Sequence, residues 1–250
     1  MELLFHRVYE VAEMMAEVVT GDYDPFGELD WDSPNINECL NKFSKTSLLA
    51  YFCFRHLTIY ECRRFRKDPE TVDLEAMQQA FERYAIPCMK FEEFLHREFP
   101  QGQDEQDAFY PWMLDQEEAF ERLWERMTDE VFHLLFYNRG FLLRFNLGLA
   151  EYRKQRGDSP SPRCAIPQWV KKAVYFRENG KCALCKTDLS GLIAVDAKQH
   201  YDHIVPLKAL GANDPCNIQL LCERCNLLKG ASPASTSSIY NPWWNEGRSV

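Results

Sequence analysis

Apolar residues recur at helical spacing through most of the first 156 positions. Between Glu2 and Val19, the side chains of Leu4, Val8, Val11, Met15 and Val18 fall on one face, which predicts a core-facing helix. Residues Thr20 to Pro34 break that pattern with Gly21, Pro25, Gly27 and Pro34. They also carry Asp22, Asp24, Glu28, Asp30 and Asp32, so they read as an acidic loop. Helical periodicity resumes from Ile36 to Lys67 in two pieces. The run Leu48-Leu49-Ala50-Tyr51-Phe52-Cys53-Phe54 predicts a helix buried on nearly every side. That helix ends in Arg63, Arg64, Arg66 and Lys67, cations that suit a helix C-terminus as a solvated cap, and Asp68-Pro69 stops it. Asp73 caps a short helix through Tyr84, and Pro87 opens another through about Arg97. Phe99-Pro100-Gln101-Gly102 then begins a polar linker to Pro111. The strongest signal runs from Asp115 to Tyr152. There Phe120, Leu123, Trp124, Met127, Val131, Leu134 and Leu135 form one stripe, with a break near Gly140.

The pattern changes at Gln155 to Pro167, a Gly/Ser/Pro-rich stretch that marks a domain boundary. Pro167 starts a helix over Gln168 to Glu178, and Gly180 closes it. Strands are expected near Leu192 to Ala197 and His200 to Leu207, with a closing helix from about Glu223. Beyond Gly230 a Ser/Ala/Pro-rich tail ends in Tyr240, Trp243 and Trp244, aromatics that suggest docking onto the helical domain or a partner. The expected organisation is mainly α. An all-helical domain spans 1–156, a linker 157–166 and a small C-terminal domain 167–230, with the tail over 231–250.

Charge divides along the same boundary. From Ser161 onward there are 11 Lys and Arg against 7 Asp and Glu, a net of +4, which leaves −13 for the rest of a chain whose net charge is −9. The basic end suits phosphate contact, and the acidic end is a poor nucleic-acid binder. Two modules with different partners follow, the helical one meeting a protein partner or a second copy of itself. With 250 residues, 46% of them apolar, the chain can bury a real core. No apolar run reaches the ~18 residues of a membrane span, and Arg139 and Arg144 interrupt the most hydrophobic stretch. The N-terminus turns acidic within two residues and lacks the cationic start of a secretory signal. Of ten cysteines, four lie in Cys-x-x-Cys pairs and six are scattered, which points to reduced thiols and a cytoplasmic setting.

The pairs carry the chemistry. Cys182/Cys185 and Cys222/Cys225 bracket Asp202-His203, with Asn217 14 positions after that His and Asn226 nine further on. Four thiolates suit a closed tetrahedral Zn²⁺ site, which staples a scaffold too small to hold a core unaided. Hydrolysis of a phosphodiester needs an activated water, a Lewis acid and relief of charge on the leaving oxygen. His203 is the natural base, Asp202 and Asn226 offer oxygens to a hard cation such as Mg²⁺ or Mn²⁺, and Lys229 is placed to meet a phosphate oxygen.

This stretch resembles the HNH endonuclease family in its four-cysteine zinc variant, over residues 167–230. The DHIxP run is Asp202 to Pro206, the LCxxCN run is Leu221 to Asn226, and Lys229 completes the N-x-x-K ending. The last position is Asn226 rather than the eponymous His. The resemblance implies a ββα-metal fold with His203 on its strand, a catalytic role for His203, Asn217, Asp202 and Asn226, and a place for Asn217 in orienting the imidazole or the adjoining backbone. It implies a nucleic-acid substrate, DNA in expectation with RNA left open, and a setting in restriction or anti-phage defence. The alternative is a zinc-binding interaction module with a vestigial site, since two Cys-x-x-Cys pairs alone mostly mark binding domains. Two Glu-x-x-His pairs, Glu93/His96 and Glu130/His133, raise a di-iron bundle site. Stepping 100° per residue puts Glu93 and His133 away from the apolar stripes, and solvated faces are the expectation.

Overall fold

The computed structural model describes residues 3–4, 7–21, 24–31, 33–99, 105–191, 198–230 and 234–237. Among these residues the chain is mostly helical, with one two-stranded antiparallel sheet. The helices are α1 (Val8–Thr20), α2 (Pro34–Asn41), α3 (Leu48–Lys67), α4 (Leu74–Arg83), α5 (Phe91–Glu98), α6 (Glu105–Asp115), α7 (Glu117–Phe136), α8 (Arg139–Gln155), α9 (Gln168–Arg177) and α10 (Glu223–Lys229). The strands are β1 (Gln199–His203) and β2 (Ile218–Cys222). No helix among the described residues is long and apolar enough to cross a membrane.

The chain groups into two units, residues 1–15 with 50–134, and residues 16–49 with 135–250. The first unit is built on aromatic side chains. Phe120 takes Phe65, Phe81 and Trp112 edge-on at 5.4, 5.1 and 5.1 Å, and Phe91 meets Phe109 and Trp112 at 4.9 and 5.4 Å. Such tilted pairs add to the area they bury because ring edges and faces carry opposite charge. This core explains why residues 105–111, expected as linker, are helical. Burying Ala108, Phe109, Trp112 and Met113 outweighs the hydrogen bond that Pro111 removes from α6.

Local signals set most helix ends. Asp73 accepts from the Ala76 N–H at 2.9 Å to cap α4, and Asn138 accepts from the Phe141 N–H at 3.0 Å to cap α8. The break between α7 and α8 therefore falls at Tyr137-Asn138 rather than at Gly140. Helix α5 starts at Phe91, four residues after Pro87. Arg64, read as part of a solvated cap, is buried, pairs with Glu61 at 3.0 Å and donates to the Thr71 carbonyl.

In the second unit, β1 pairs with β2 in a register that sets His203 opposite Ile218 and Asp202 opposite Gln219. The partner of β1 is thus the run Ile218–Cys222, which lies after it in the chain. The strand expected at Leu192 to Ala197 falls outside the described residues, as do Tyr240, Trp243 and Trp244. Ile218, Leu220 and Leu221 are fully buried against Val170 and Val174 of α9 and against Cys182, Ala183, Leu189 and Cys225. A strand covered on both faces reads as a continuous apolar run rather than an alternation, which is why it escapes a period-two search. Helix α8 and residues 36–49 belong to this same unit, as does the stretch 157–166.

Candidate active site

Four thiols converge first. Cys182 and Cys185 lie on a knuckle that the Cys182 N–H···Thr187 and Lys186 N–H···Cys182 hydrogen bonds close, with Lys186 at φ 66°. Cys222 ends β2, and its Sγ caps α10 by accepting from the Cys225 N–H at 3.4 Å. The four Sγ atoms lie within 4.8 Å of one another, with Cys185 and Cys222 3.6 Å apart. Zinc–sulfur bonds of about 2.3 Å in a tetrahedron put sulfurs about 3.8 Å apart, so the set fits a structural zinc. Among the described residues this is the one cluster of three or more His, Cys, Asp or Glu with metal-binding spacing.

Strand β1 runs beside α10 and sets out the remaining groups. His200 and Asp202 share a strand face, and Asn226 and Lys229 share a helix face. The two faces meet in pairs. Asn226 Nδ2 lies 3.5 Å from His200 Nδ1, and the Lys229 ammonium is 2.7 Å from Asp202 Oδ2. Lys229 is almost fully buried and also donates to the His203 carbonyl at 2.7 Å. His200, read from sequence as an ordinary strand residue, thus stands beside Asn226, and its buried Nε2 takes no hydrogen bond from the described residues. Asp202 and Asn226, on adjoining faces of β1 and α10, are the oxygen-bearing side chains here that could serve a hard divalent cation.

His203 ends β1. Its Nε2 lies 3.3 Å from Asn213 Oδ1, and its ring packs beside Phe43 with centroids 6.4 Å apart. Burial pushes the imidazole pKa below its ordinary value. The Asn213 contact and the Asp202 charge oppose that shift, and the Lys229 and Arg163 charges add to it. The ring is therefore neutral near pH 7 and able to take a proton.

Asn217 does not touch the imidazole. Its side chain is fully buried, accepts from the Val205 N–H at 2.8 Å and donates to the Val205 and Ala212 carbonyls at 3.0 Å each. It fixes the loop that leaves β1. The residue on the imidazole is Asn213, which sequence reasoning missed, and only the turn-forming run Gly211-Ala212-Asn213-Asp214-Pro215 hinted at a built loop there.

Asp202, His203 and Lys229 line one groove of about 540 Å³. Pro160, Ser161 and Arg163 from the 157–166 stretch form one edge, and Pro206, Leu207 and Lys208 another. The exposed Arg163 and Lys208 make that rim cationic.

Residues 182–232 match the HNH endonuclease family model. The matched segment holds the four thiols, both strands and α10, so the HNH match and the geometry fall on the same residues. No curated protein and no solved structure matches the chain.

Proposed function

We propose that this protein is a metal-dependent HNH endonuclease that hydrolyses phosphodiester bonds, with DNA as substrate. One observation carries the reading. A neutral, half-buried imidazole shares a groove with a carboxylate, and cationic side chains line the rim. A phosphodiester lying there would have Arg163 and Lys208 beside its oxygens and His203 beside the attacking water, whose proton the imidazole takes. Asp202 and Asn226 would hold a Mg²⁺ or Mn²⁺ ion, which when bound supplies charge relief at the scissile phosphate. The four cysteines hold zinc in a structural role and leave it no open position for chemistry. Asn217 serves by holding the loop behind His203 rather than by contact with substrate.

The acidic helical part of the chain, a poor match to nucleic acid, is the surface we assign to a protein partner or to self-association. An effector in restriction or anti-phage defence is the biological setting this pairing suits. We place it in the cytoplasm, where the thiols of the two Cys-x-x-Cys pairs and the six scattered cysteines would stay reduced.

A second reading has one observation in its favour. The Lys229 ammonium already occupies Asp202, as it would in a zinc-binding interaction module whose catalytic site is vestigial. Plasmid nicking titrated with Mg²⁺ and Mn²⁺ separates the two. The nuclease converts supercoiled to nicked DNA only with added divalent metal, and His203→Ala does not. Equal nicking by both proteins, or by neither, removes the nuclease reading.

A further inference from the structure

Asn213 is fully buried in the loop between β1 and β2, and its backbone N–H and both ends of its side-chain amide are engaged. Its backbone N–H donates to the Leu40 carbonyl at 3.1 Å. Its Nδ2 donates to the Asn41 carbonyl at 3.2 Å and to the Pro162 carbonyl at 2.7 Å. An amide side chain can be turned either way, and its neighbours decide which. Here both neighbours on one end are carbonyl oxygens, which only accept, so that end must be the nitrogen. Oδ1 is then left facing His203 Nε2 at 3.3 Å.

An amide oxygen can only accept, so this contact requires the hydrogen of a neutral imidazole to sit on Nε2. The unprotonated nitrogen is then Nδ1. We infer that Asn213 is a positioning residue that holds His203 as its Nε2–H tautomer, leaving Nδ1 as the nitrogen that takes the proton from water. The inference deepens the nuclease reading and rests on it for the word water; the tautomer itself does not depend on it. The orientation is set by chain outside the HNH-matched segment, namely the C-terminal end of α2 at Asn41 and the 157–166 stretch at Pro162. The base of the nuclease is thereby tied, through Asn213, to Asn41, which lies 172 positions before that asparagine in sequence. An imidazole without such a tie samples both tautomers and rotates about its χ2 axis, and each wrong state is an inactive one.

The test starts with the unaltered, zinc-loaded chain. Long-range ¹⁵N–¹H correlation of the His203 ring, at a pH where it is neutral, should show a single Nε2–H tautomer. In Asn213→Ala the pattern should become a mixture and the nicking rate should fall by about ten- to hundred-fold, in the range seen when the partner that orients a catalytic-site imidazole is removed. Zinc content and melting of the variant show that the fold persists, and the measurement on the unaltered chain stands even where the variant does not fold. An Nδ1–H or mixed pattern in the unaltered chain overturns the inference, whatever the nicking result. So does Asn213→Ala with an unchanged pattern and rate. A chain that shows the Nε2–H pattern yet fails to nick DNA with either Mg²⁺ or Mn²⁺ upholds the positioning and overturns the nuclease reading instead.

Discussion

His203 is held from three sides, by Asn213 at one ring nitrogen, by Phe43 at its face and by Lys229 at its own carbonyl. None of these contacts needs its proton-accepting nitrogen, but removing the ring leaves the buried Asn213 oxygen unpaired, at about 1–3 kcal/mol. His203→Ala should lower nicking by about 10²- to 10⁴-fold, the usual worth of a general base, while zinc content and a cooperative melt persist. A variant that loses its zinc or its cooperative melt would make His203 structural instead. Asn226 is tested by metal dependence. Its neighbour Cys225 is fixed by the thiol cluster, so Asn226→Ala should keep zinc and raise the Mg²⁺ or Mn²⁺ concentration needed for half-maximal nicking, with excess metal partly restoring the rate. A parent-like titration curve removes Asn226 as a ligand. Asn217→Ala should behave differently from both, because it strands three buried backbone groups that its amide now satisfies. At about 1–3 kcal/mol for a buried group left unpaired, the second unit should melt well below the parent.

At the scale of elements, the loop from Ile204 to Asn217 carries the tightest constraints. A Cβ on Gly211 would lie 2.0 Å from the Val205 carbonyl oxygen and 2.9 Å from Asn217 Nδ2, and neither backbone nor clamp can retreat. Gly211→Ala should therefore destabilise the second unit by about 1–3 kcal/mol or more, and chemical denaturation would reveal it as a shifted midpoint. An unshifted midpoint would mean that the Val205 carbonyl moves aside to admit the methyl group. Asp214, three residues on, is fully buried. It accepts the Leu48 N–H at the start of α3 at 2.7 Å and the Cys216 N–H at 2.8 Å. Complete burial pushes its carboxyl pKa up, and those two N–H groups hold the rise back. The thiol cluster completes the frame by joining α10 and the end of β2 to the knuckle at Cys182 and Cys185. Zinc removed by a strong chelator should unfold this region, structural zinc being worth on the order of 10 kcal/mol. Loss of metal without loss of near-ultraviolet dichroism would argue against the four-cysteine site.

At the scale of the molecule, the ββα motif is one face of a larger unit. Asn146 of α8 donates to the Cys216 carbonyl at 3.1 Å, and Arg153 of α8 reaches the Leu210 carbonyl at 2.7 Å and the Ser159 carbonyl at 2.8 Å. Leu40, Asn41 and Leu48 supply further partners to the loop before β2. A fragment of residues 157–250 lacks all of these. At about 1 kcal/mol for each lost hydrogen bond it should melt more than about 10 °C below the second unit of the full chain, even when zinc-loaded. A fragment that melts with the full chain and nicks at its rate would show that the helices contribute nothing to the site.

The sequence alone determined what local chemistry determines. Two Cys-x-x-Cys pairs define a thiolate set at any distance apart in the chain, and a stripe repeating every three to four residues defines a helix whatever it packs on. Hence the four-thiol set, the Asp202-His203 step, the helix starts at Asp73 and Pro167 and the helical character of the described residues before 157 were legible. What it could not carry was any relation set by packing. β2 is buried on both faces, so no alternation marked it, and the aromatic core overrode Pro111 in α6. Arg64 looked like a solvated cation until Glu61 and Thr71 enclosed it. The distinction between Asn217, which clamps a loop, and Asn213, which meets the imidazole, is of the same kind. Both are asparagines in one polar turn, and only the arrival of Asn41 and Pro162 from distant parts of the chain decides which amide faces His203.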